Sequence, residues 1–139
     1  MTLTKQDILE DFYQGNSKDI HVTVTDADGQ PLPLTGAEIT YVIYTDDGKV
    51  TSIPVVKLTK STNNGVGDIE ITNEAEGIAV VHIYPYDTTF IFGSFNHMCN
   101  VVVNGDEETV FTGKINIFRA PARRSRNSKV LVYLSGTIV

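Results

Sequence analysis

The sequence predicts an all-β domain, an immunoglobulin-like antiparallel β-sandwich with a short N-terminal helix and an extended C-terminal arm. Between residues 18 and 118, apolar and polar side chains alternate in about seven short runs, which is the pattern of half-buried strands. Turns rich in glycine, asparagine and aspartate separate these runs at spacings near 8–12 residues, as in a sandwich. The chain has no tryptophan and one cysteine, so the signature of an antibody-type domain is absent.

Length and composition are consistent with one folded domain. A chain of 139 residues can bury a substantial core. An apolar content of 41% with 20% charged residues excludes an intrinsically disordered chain, and one cysteine excludes a disulfide scaffold. The pattern divides the chain into a helical segment at residues 1–17, the sandwich at residues 18–118 and the arm at residues 119–139.

The N-terminal segment has apolar residues at helical spacing. Thr4 followed by Asp7 is close to a capping box, and Gly15 is suited to end a helix. We therefore expect a short helix over residues 5–14 that docks its apolar face on the domain or on a neighbour. The candidate docking residues are Ile8, Leu9, Phe12 and Tyr13.

Within the sandwich, each predicted strand is an alternating or apolar run bounded by turn residues. One run shows the pattern clearly, because Ile39, Tyr41 and Ile43 point to the same face. In chain order, the predicted strands cover residues 18–25, 37–45, 49–60, 68–73, 78–84, 94–103 and 109–118.

The connections between these strands carry local signals of their own. Residues 46–48 and 104–106 combine aspartate or asparagine with glycine, which predicts hairpins. Pro54 indicates an edge strand or a bulge, because proline cannot donate a hydrogen bond to a β-ladder. Residues 85–90 begin with proline, and we expect a helical turn there at a corner of the sandwich.

Charge is distributed unevenly along the chain, whose formal net charge is −6. All 17 acidic residues lie at or before Glu108, and residues 1–118 contain six basic residues, so this body carries −11. Residues 119–139 contain four arginines, one lysine and no acidic residue, so they carry +5. This asymmetry predicts that the arm contacts an acidic protein surface, such as that of a neighbouring copy.

The arm combines a polar linker with an apolar end. Residues 120–127 contain proline and three arginines, whereas residues 129–133 and 137–139 are apolar and β-branched. The 21 residues of the arm extend to about 70 Å, against a radius of gyration of about 14 Å for a domain of this length. The terminal strand therefore either folds back onto its own sheet or adds to a sheet edge of another subunit.

The candidate partner-binding residues of the arm are of two kinds, arginines for charge contacts and apolar residues for strand addition. A basic run also fits a solvated linker or a nucleic acid site. Nucleic acid is the least favoured partner, because the acidic body repels it and the arm has one aromatic residue. The candidates are Arg119, Arg123, Arg124, Arg126, Val130, Leu131, Val132 and Tyr133.

Motifs that carry enzyme chemistry are absent from the sequence. His21, His82 and His97 lack cysteine or carboxylate neighbours at ligand spacing, so we interpret them as surface or core histidines. Residues 26–29 resemble the start of a calcium loop, but the glutamate that closes such a loop is missing. The sequence predicts a non-enzymatic protein with no catalytic residue, metal or cofactor.

Signals for export or membrane insertion are also absent. No run approaches the about 20 apolar residues of a membrane-spanning helix. The first residues lack the apolar core of a secretory signal. Cys99 has no partner for an internal disulfide, and we expect it to be buried in a strand.

Two segments resemble a known family. Residues 19–29 (DIHVTVTDADG) and 31–37 (PLPLTGA) look like the opening of the N-terminal immunoglobulin-like domain of phage baseplate upper proteins and related tail proteins. In that family a strand ends in Thr-Asp-x-Asp-Gly, and a Pro-hydrophobic-Asp-Leu-Thr-Gly-Ala segment follows. Pro33 stands where the family commonly has aspartate. Residues 73–83 (NEAEGIAVVHI) are similar to the middle of the family pattern.

The resemblance covers residues 15–118 and implies a structural protein of a bacteriophage virion, in the tail, baseplate, neck or capsid decoration. Its partners would be other virion proteins and copies of itself, and it would be assembled in the host cytoplasm. The alternative is an immunoglobulin-like binding module for a carbohydrate or a host protein. Its stacking surface would consist of Tyr41, Tyr44, Tyr84 and Tyr86, which are otherwise ordinary sheet aromatics.

Overall fold

A computed structural model describes residues 6–46, 48–49, 53–62 and 68–120, with side chains from Asp11 onward. These residues form eight β-strands and one 3-10 turn, and none of them is in an α-helix. The elements are β1 Gln6–Tyr13, β2 Lys18–Thr23, β3 Glu38–Thr45, β4 Val55–Ser61, β5 Ile69–Asn73, β6 Ile78–Ile83, the turn Pro85–Thr88, β7 Gly93–Val103 and β8 Asp106–Phe118.

The strands form two sheets. The larger sheet has the order β1-β8-β7-β3-β4, and the smaller one has the order β2-β6-β5. Neighbouring strands are antiparallel except for β1 and β8, which run parallel from Gln6 beside Phe111 to Tyr13 beside Phe118. The all-β prediction is confirmed, whereas the prediction of a purely antiparallel arrangement is wrong at this one pair.

The helix predicted over residues 5–14 is also wrong, because Gln6–Tyr13 is the strand β1. Phe12 is buried while Asp11 and Tyr13 are exposed, so the described side chains alternate with a strand period. Pairing with β8 satisfies the backbone of β1 along one side, and this long-range pairing overrides the weak helical spacing. The predicted domain segment 1–17 is therefore not helical over residues 6–13.

The other predicted strands all have counterparts in the structure. Ile39, Tyr41 and Ile43 are fully buried as predicted, and the predicted turn over residues 85–90 is the 3-10 turn. Pro54 precedes an edge strand, and β3 and β4 change register between Ile43 and Tyr44. β4 begins only after Pro54, since proline cannot contribute a ladder hydrogen bond.

Both sheets contribute to one hydrophobic core. Alternate residues of the strands point inward, as the period of a strand requires. This burial is the main stabilising term of the fold. Core residues of the smaller sheet are Ile20, Val22, Ile69, Ala79, Val81 and Ile83, and those of the larger sheet include Ile39, Tyr41, Ile43, Phe95, Cys99, Val101, Phe111, Ile115 and Ile117.

Candidate functional site

The strands of the two sheets end at two opposite edges of the fold. The last described residues, 118–120, lie at one of these edges. We call it the exit end, formed by residues 13–17, 84–92 and 118–120. Hydrogen bonds join the loops at this end, although these loops are far apart in the sequence. Gln14 donates from its backbone to the Phe118 carbonyl at 2.8 Å and from its side chain to the Thr89 carbonyl at 2.8 Å. The Gly15 amide donates to the Thr88 hydroxyl at 2.9 Å, so the first and last strands are fastened to the 3-10 turn.

The exit end carries an exposed aromatic cluster, the exit patch, which consists of Tyr13, Phe92, Phe118 and Arg119. The rings of Tyr13 and Phe118 lie 5.5 Å apart, and the guanidinium of Arg119 lies 5.7 Å from the Phe92 ring. Tyr13 and Phe92 are each 52% exposed. Phe90, two residues before Phe92, is 92% exposed. A contiguous cluster of exposed aromatic side chains is typical of an interaction site, whereas single exposed apolar residues scattered over a surface are ordinary.

A second group of aromatic residues, the tyrosine surface, consists of His82, Tyr84 and Tyr86 with their charged neighbours Lys60, Asp19 and Glu70. The Tyr84 and Tyr86 rings are stacked, with centroids 5.6 Å apart and an interplanar angle of 15°. The His82 ring is also stacked with Tyr84, with centroids 6.1 Å apart and an interplanar angle of 22°. Tyr86 ends the stack and is 70% exposed, so the stack opens to solvent at Tyr86.

Lys60 of β4 contacts the tyrosine surface from the interior of the protein. Its Nζ lies 2.6 Å from the Asp87 carboxylate and 3.4 Å from the Asp68 carboxylate, while its side chain is only 3% exposed. The same Nζ lies 4.8 Å from the centroid of the Tyr84 ring. Because Asp87 also accepts a hydrogen bond from the Tyr84 amide at 2.7 Å, this buried ion pair fixes the 3-10 turn that presents Tyr86.

His82 lies between two carboxylates from the neighbouring strands of its sheet. Its Nδ1 is 2.8 Å from Asp19 of β2, and its Nε2 is 3.4 Å from Glu70 of β5. Burial lowers the pKa of His82, but hydrogen bonds and charge from Asp19 and Glu70 outweigh burial and raise the pKa above its ordinary value of 6.5. The smaller sheet therefore presents a row of one histidine and two carboxylates beside the stacked tyrosines.

The structure divides the predicted docking residues of the N-terminal segment. Phe12 belongs to the hydrophobic core and cannot contact a partner, whereas Tyr13 is part of the exit patch. Ile8 and Leu9 lie on β1 beside Gly113 and Lys114 of β8, and their side chains are outside the description. The prediction is therefore wrong for Phe12, whereas docking by Ile8, Leu9 and Tyr13 remains a prediction.

Of the predicted arm residues, Arg119 lies in the described part of the chain, against Phe92 in the exit patch. The other seven lie outside the described residues, and their roles remain predictions. They are Arg123, Arg124, Arg126, Val130, Leu131, Val132 and Tyr133.

Several polar residues singled out in the sequence are core residues. Tyr41 is fully buried, so it is not part of a stacking surface, and its hydroxyl lies 2.8 Å from Nδ1 of the buried His97. Cys99 is buried as predicted, and burial raises the pKa of its thiol to about 12, which makes it a poor nucleophile. His97 is thus a core histidine with a partner, as predicted, and His21 is an exposed sheet histidine.

Two features of the site could not be inferred from sequence spacing. Lys60 and Asp87 are 27 residues apart in the chain, and neither has a neighbour that signals the ion pair. The placement of Asp19 and Glu70 against His82 likewise depends on the strand order of the smaller sheet. The tyrosines were visible as a Tyr-Pro-Tyr run, which is the one local signal of this surface.

Within the described ranges, no group of three or more histidine, cysteine, aspartate or glutamate side chains is arranged to hold a metal ion. No helix in the same residues has the length and apolar character needed to cross a bilayer. Comparison with protein-family models and with curated proteins finds no match to this chain. The exit patch and the tyrosine surface are the two candidate functional surfaces of the described residues.

Proposed function

We propose that this chain is a non-enzymatic structural protein of a bacteriophage virion, in the tail, baseplate, neck or capsid decoration. Its body would be an immunoglobulin-like sandwich that assembles through its termini. Copies of itself and other virion proteins would be the partners, and assembly would take place in the host cytoplasm. The resemblance of residues 19–37 and 73–83 to phage baseplate upper proteins supplies the class of particle.

The strand orders support the immunoglobulin-like part of the proposal. In such domains one sheet contains strands B, E and D, and the other contains C, F and G. The orders β2-β6-β5 and β8-β7-β3-β4 correspond to B-E-D and G-F-C-C′. Tyr41 on β3 is paired with Cys99 on β7, so a buried aromatic on strand C lies beside the cysteine position of strand F.

The observation that carries assembly through the termini is the exit patch. Tyr13 closes the first strand, Phe118 and Arg119 close the last, and Phe92 lies beside them. The arm leaves the body directly at this cluster of exposed rings. Exposed aromatic residues with an arginine have the composition of a protein interface rather than that of the remaining surface.

The proposal is tested by self-association and by incorporation into particles. The full chain should form concentration-dependent oligomers in sedimentation velocity, and antibodies against it should label phage particles from its host in immunogold images. A chain lacking residues 119–139 and the double variant Tyr13→Ser/Phe92→Ser should remain folded but lose assembly. Val56→Ser removes an exposed apolar side chain at the opposite edge of the same sheet and should assemble normally. Incorporation of the truncated chain into particles would contradict the proposal.

A second candidate function is recognition of a carbohydrate, because the exposed Tyr86 ring has the chemistry on which a sugar ring packs. Binding to a glycan array that disappears in Tyr84→Ala and Tyr86→Ala would support it. Binding of the chain to a purified host protein that is lost in Tyr84→Ala and Tyr86→Ala would indicate a host protein partner instead.

A further inference from the structure

We propose that the tyrosine surface of one copy binds the arginines of the arm, Arg123, Arg124 and Arg126, of a second copy. This inference rests on the proposed function, in which the arm joins subunits, and it names the surface that receives the arm. The contact would be one guanidinium stacked on Tyr86, with a neighbouring guanidinium of the same arm paired with Glu70 beside His82.

The stacked rings are suited to a planar cation. Arginine guanidinium groups stack on aromatic faces, and the attraction increases as the site is shielded from water. The Tyr86 ring is 70% exposed, whereas Tyr84 is half-buried and stacks with both His82 and Tyr86. Tyr86 is thus the ring available to a side chain from another molecule.

Lys60 demonstrates that these rings already accommodate a cation. Its Nζ lies 4.8 Å from the Tyr84 centroid and 6.0 Å from the Tyr86 centroid. Because Lys60 is buried and paired with Asp87, it occupies the inner side of the stack and leaves the outer side of Tyr86 to solvent. A second cation on the outer side would complete a sandwich around the tyrosines.

The carboxylates beside the rings supply the matching charge. Glu70 has a side chain that is 64% exposed, and its contact with His82 is long at 3.4 Å, so it can turn toward a partner without losing a short hydrogen bond. Asp19 lies on the far side of His82. A planar guanidinium can donate two hydrogen bonds to one carboxylate, which lysine cannot do.

The composition of the arm identifies it as the occupant. It carries +5 with no acidic residue, and three arginines lie within residues 123–126. Three guanidinium groups complement a surface that carries two carboxylates on one histidine, whereas a neutral sugar adds no charge to this surface.

Geometry favours a second copy over the chain's own arm. Tyr13 and Phe118 lie on the outer side of the larger sheet, where the arm leaves, while His82 and Tyr84 lie on the outer side of the smaller sheet. The three residues from Ala120 to Arg123 span about 10 Å. Packed sheets lie about 10 Å apart, so Arg123 of the chain's own arm reaches the outer side of the smaller sheet only if the arm turns tightly around the exit end. Arg126 reaches about 20 Å from Ala120 but needs the same reversal, whereas the arm of a second copy needs none.

The test uses charge reversal in two full-length chains. Glu70→Arg makes the surface basic, and the double variant Arg123→Glu/Arg124→Glu makes the arm acidic. Each variant alone should self-associate at least about tenfold more weakly, since one close charge pair is replaced by repulsion. An equimolar mixture should recover association, because each surface then meets an arm of opposite charge on another copy. Sedimentation equilibrium of each chain and of the mixture measures the dissociation constants.

Matched controls separate the surface from general charge effects. Glu76→Arg makes the same charge change at the opposite end of the smaller sheet and should leave the dissociation constant within about twofold. Tyr86→Ala should weaken association, whereas Tyr86→Phe keeps the ring and should retain it. Raising the salt from about 0.05 M to about 0.5 M should weaken the wild-type contact, because salt screens the charge pairs.

The outcomes distinguish this inference from the proposed function. If the acidic arm abolishes association but Glu70→Arg and Tyr86→Ala leave it intact, the arm binds elsewhere and only this inference fails. If the equimolar mixture does not recover association, the arm does not bind the tyrosine surface of another copy and this inference fails. Loss of glycan binding in Tyr86→Ala with unchanged association would also overturn it. If the truncated chain still assembles, the proposed function fails as well.

Discussion

The two ends of this fold are built differently. At the end opposite the exit end, which we call the turn end, the amides of Val24 and Leu34 donate to the distant carbonyls of Gly77 and Glu74, but most side-chain hydrogen bonds are local. Asp26 accepts from the amides of Asp28 and Gln30, and Asn73 accepts from Glu76. At the exit end the corresponding bonds join residues 73 and 75 positions apart, and a buried ion pair ties β4 to the 3-10 turn. Short sequence motifs therefore specify part of the turn end, whereas the side-chain bonds of the exit end form only between segments that are far apart in the chain.

This difference predicts where substitutions are costly and where partners bind. Local turns reform after a substitution because their few bonds are exposed to water, which replaces them. The exit end depends on buried contacts that no water can replace. It also carries exposed aromatic residues, so the end whose side-chain bonds join the most distant segments is the end that we assign to assembly.

The largest expected effect is at the exit end. Lys60→Met should lower the free energy of unfolding by about 4 kcal/mol, because it leaves the nearly buried Asp87 without its countercharge. Urea denaturation at neutral pH measures this change. Lys57→Met removes an exposed lysine of the same strand and should change the free energy by less than about 0.5 kcal/mol. Equal effects of the two substitutions would show that the ion pair does not hold the exit end.

The next effect tests the one tight long-range approach at the turn end. Gly77 has a positive φ of 71°, and a Cβ there would lie 2.5 Å from the Val24 carbonyl oxygen and 2.8 Å from that of Leu32. Gly77→Ala should cost about 3 kcal/mol, from backbone strain and displacement of these carbonyls. Gly36 has a similar φ of 73° but open space around it, so Gly36→Ala should cost only about 1 kcal/mol. Thermal and urea unfolding of both variants would detect the difference, and identical losses would contradict the close approach.

A smaller effect is expected at the hydroxyl that fastens β1 to the 3-10 turn. Thr88 is fully buried and accepts from the Gly15 amide, so Thr88→Val should cost about 2 kcal/mol by leaving that amide without a partner. Thr89 is its half-buried neighbour, and its hydroxyl makes only a 3.2 Å bond to the Tyr86 carbonyl within the same turn. Thr89→Val should therefore remain within about 0.5 kcal/mol of the wild type in urea denaturation. A larger loss for Thr89→Val than for Thr88→Val would reverse the proposed order.

The smallest effect is a pH dependence at His82. Its folded pKa is raised above 6.5 by Asp19 and Glu70, so its stabilising contribution is complete below about pH 6.5 and is lost as the pH rises through the folded pKa. The melting temperature of His82→Gln should thus differ from that of the wild type more at pH 5.5 than at pH 8.5. His21→Gln, on the exposed face of β2, is the matched control. A difference for His82→Gln that is the same at both pH values would contradict the role of the two carboxylates.

The sequence was sufficient to predict the elements whose signals are local. The inward face of Ile39, Tyr41 and Ile43 and the turn that begins at Pro85 follow from alternation and from proline chemistry. Burial of Cys99 follows from its position in an apolar run. These predictions need no knowledge of which strands are neighbours.

The predictions that failed depended on long-range partners. Residues 6–13 have apolar side chains compatible with either a helix or a strand, and pairing with β8 decides between them. Tyr41 and Tyr86 look alike in the sequence, but the first enters the core and the second ends an exposed stack. The site beside His82 arises because β2 and β5 flank β6, an order that no local motif encodes.

The parallel pairing of the first and last strands also has a kinetic consequence. Asp11 and Asn116 are bonded across 105 positions, so β1 cannot find its place until nearly the whole chain has been synthesised. Contacts of such high sequence separation carry a loop-closure cost and slow the final step of folding. Until that step the open edge of β8 can pair with other chains, which makes newly made copies prone to aggregation at high concentration. Docking of β1 is therefore the event that completes the exit end.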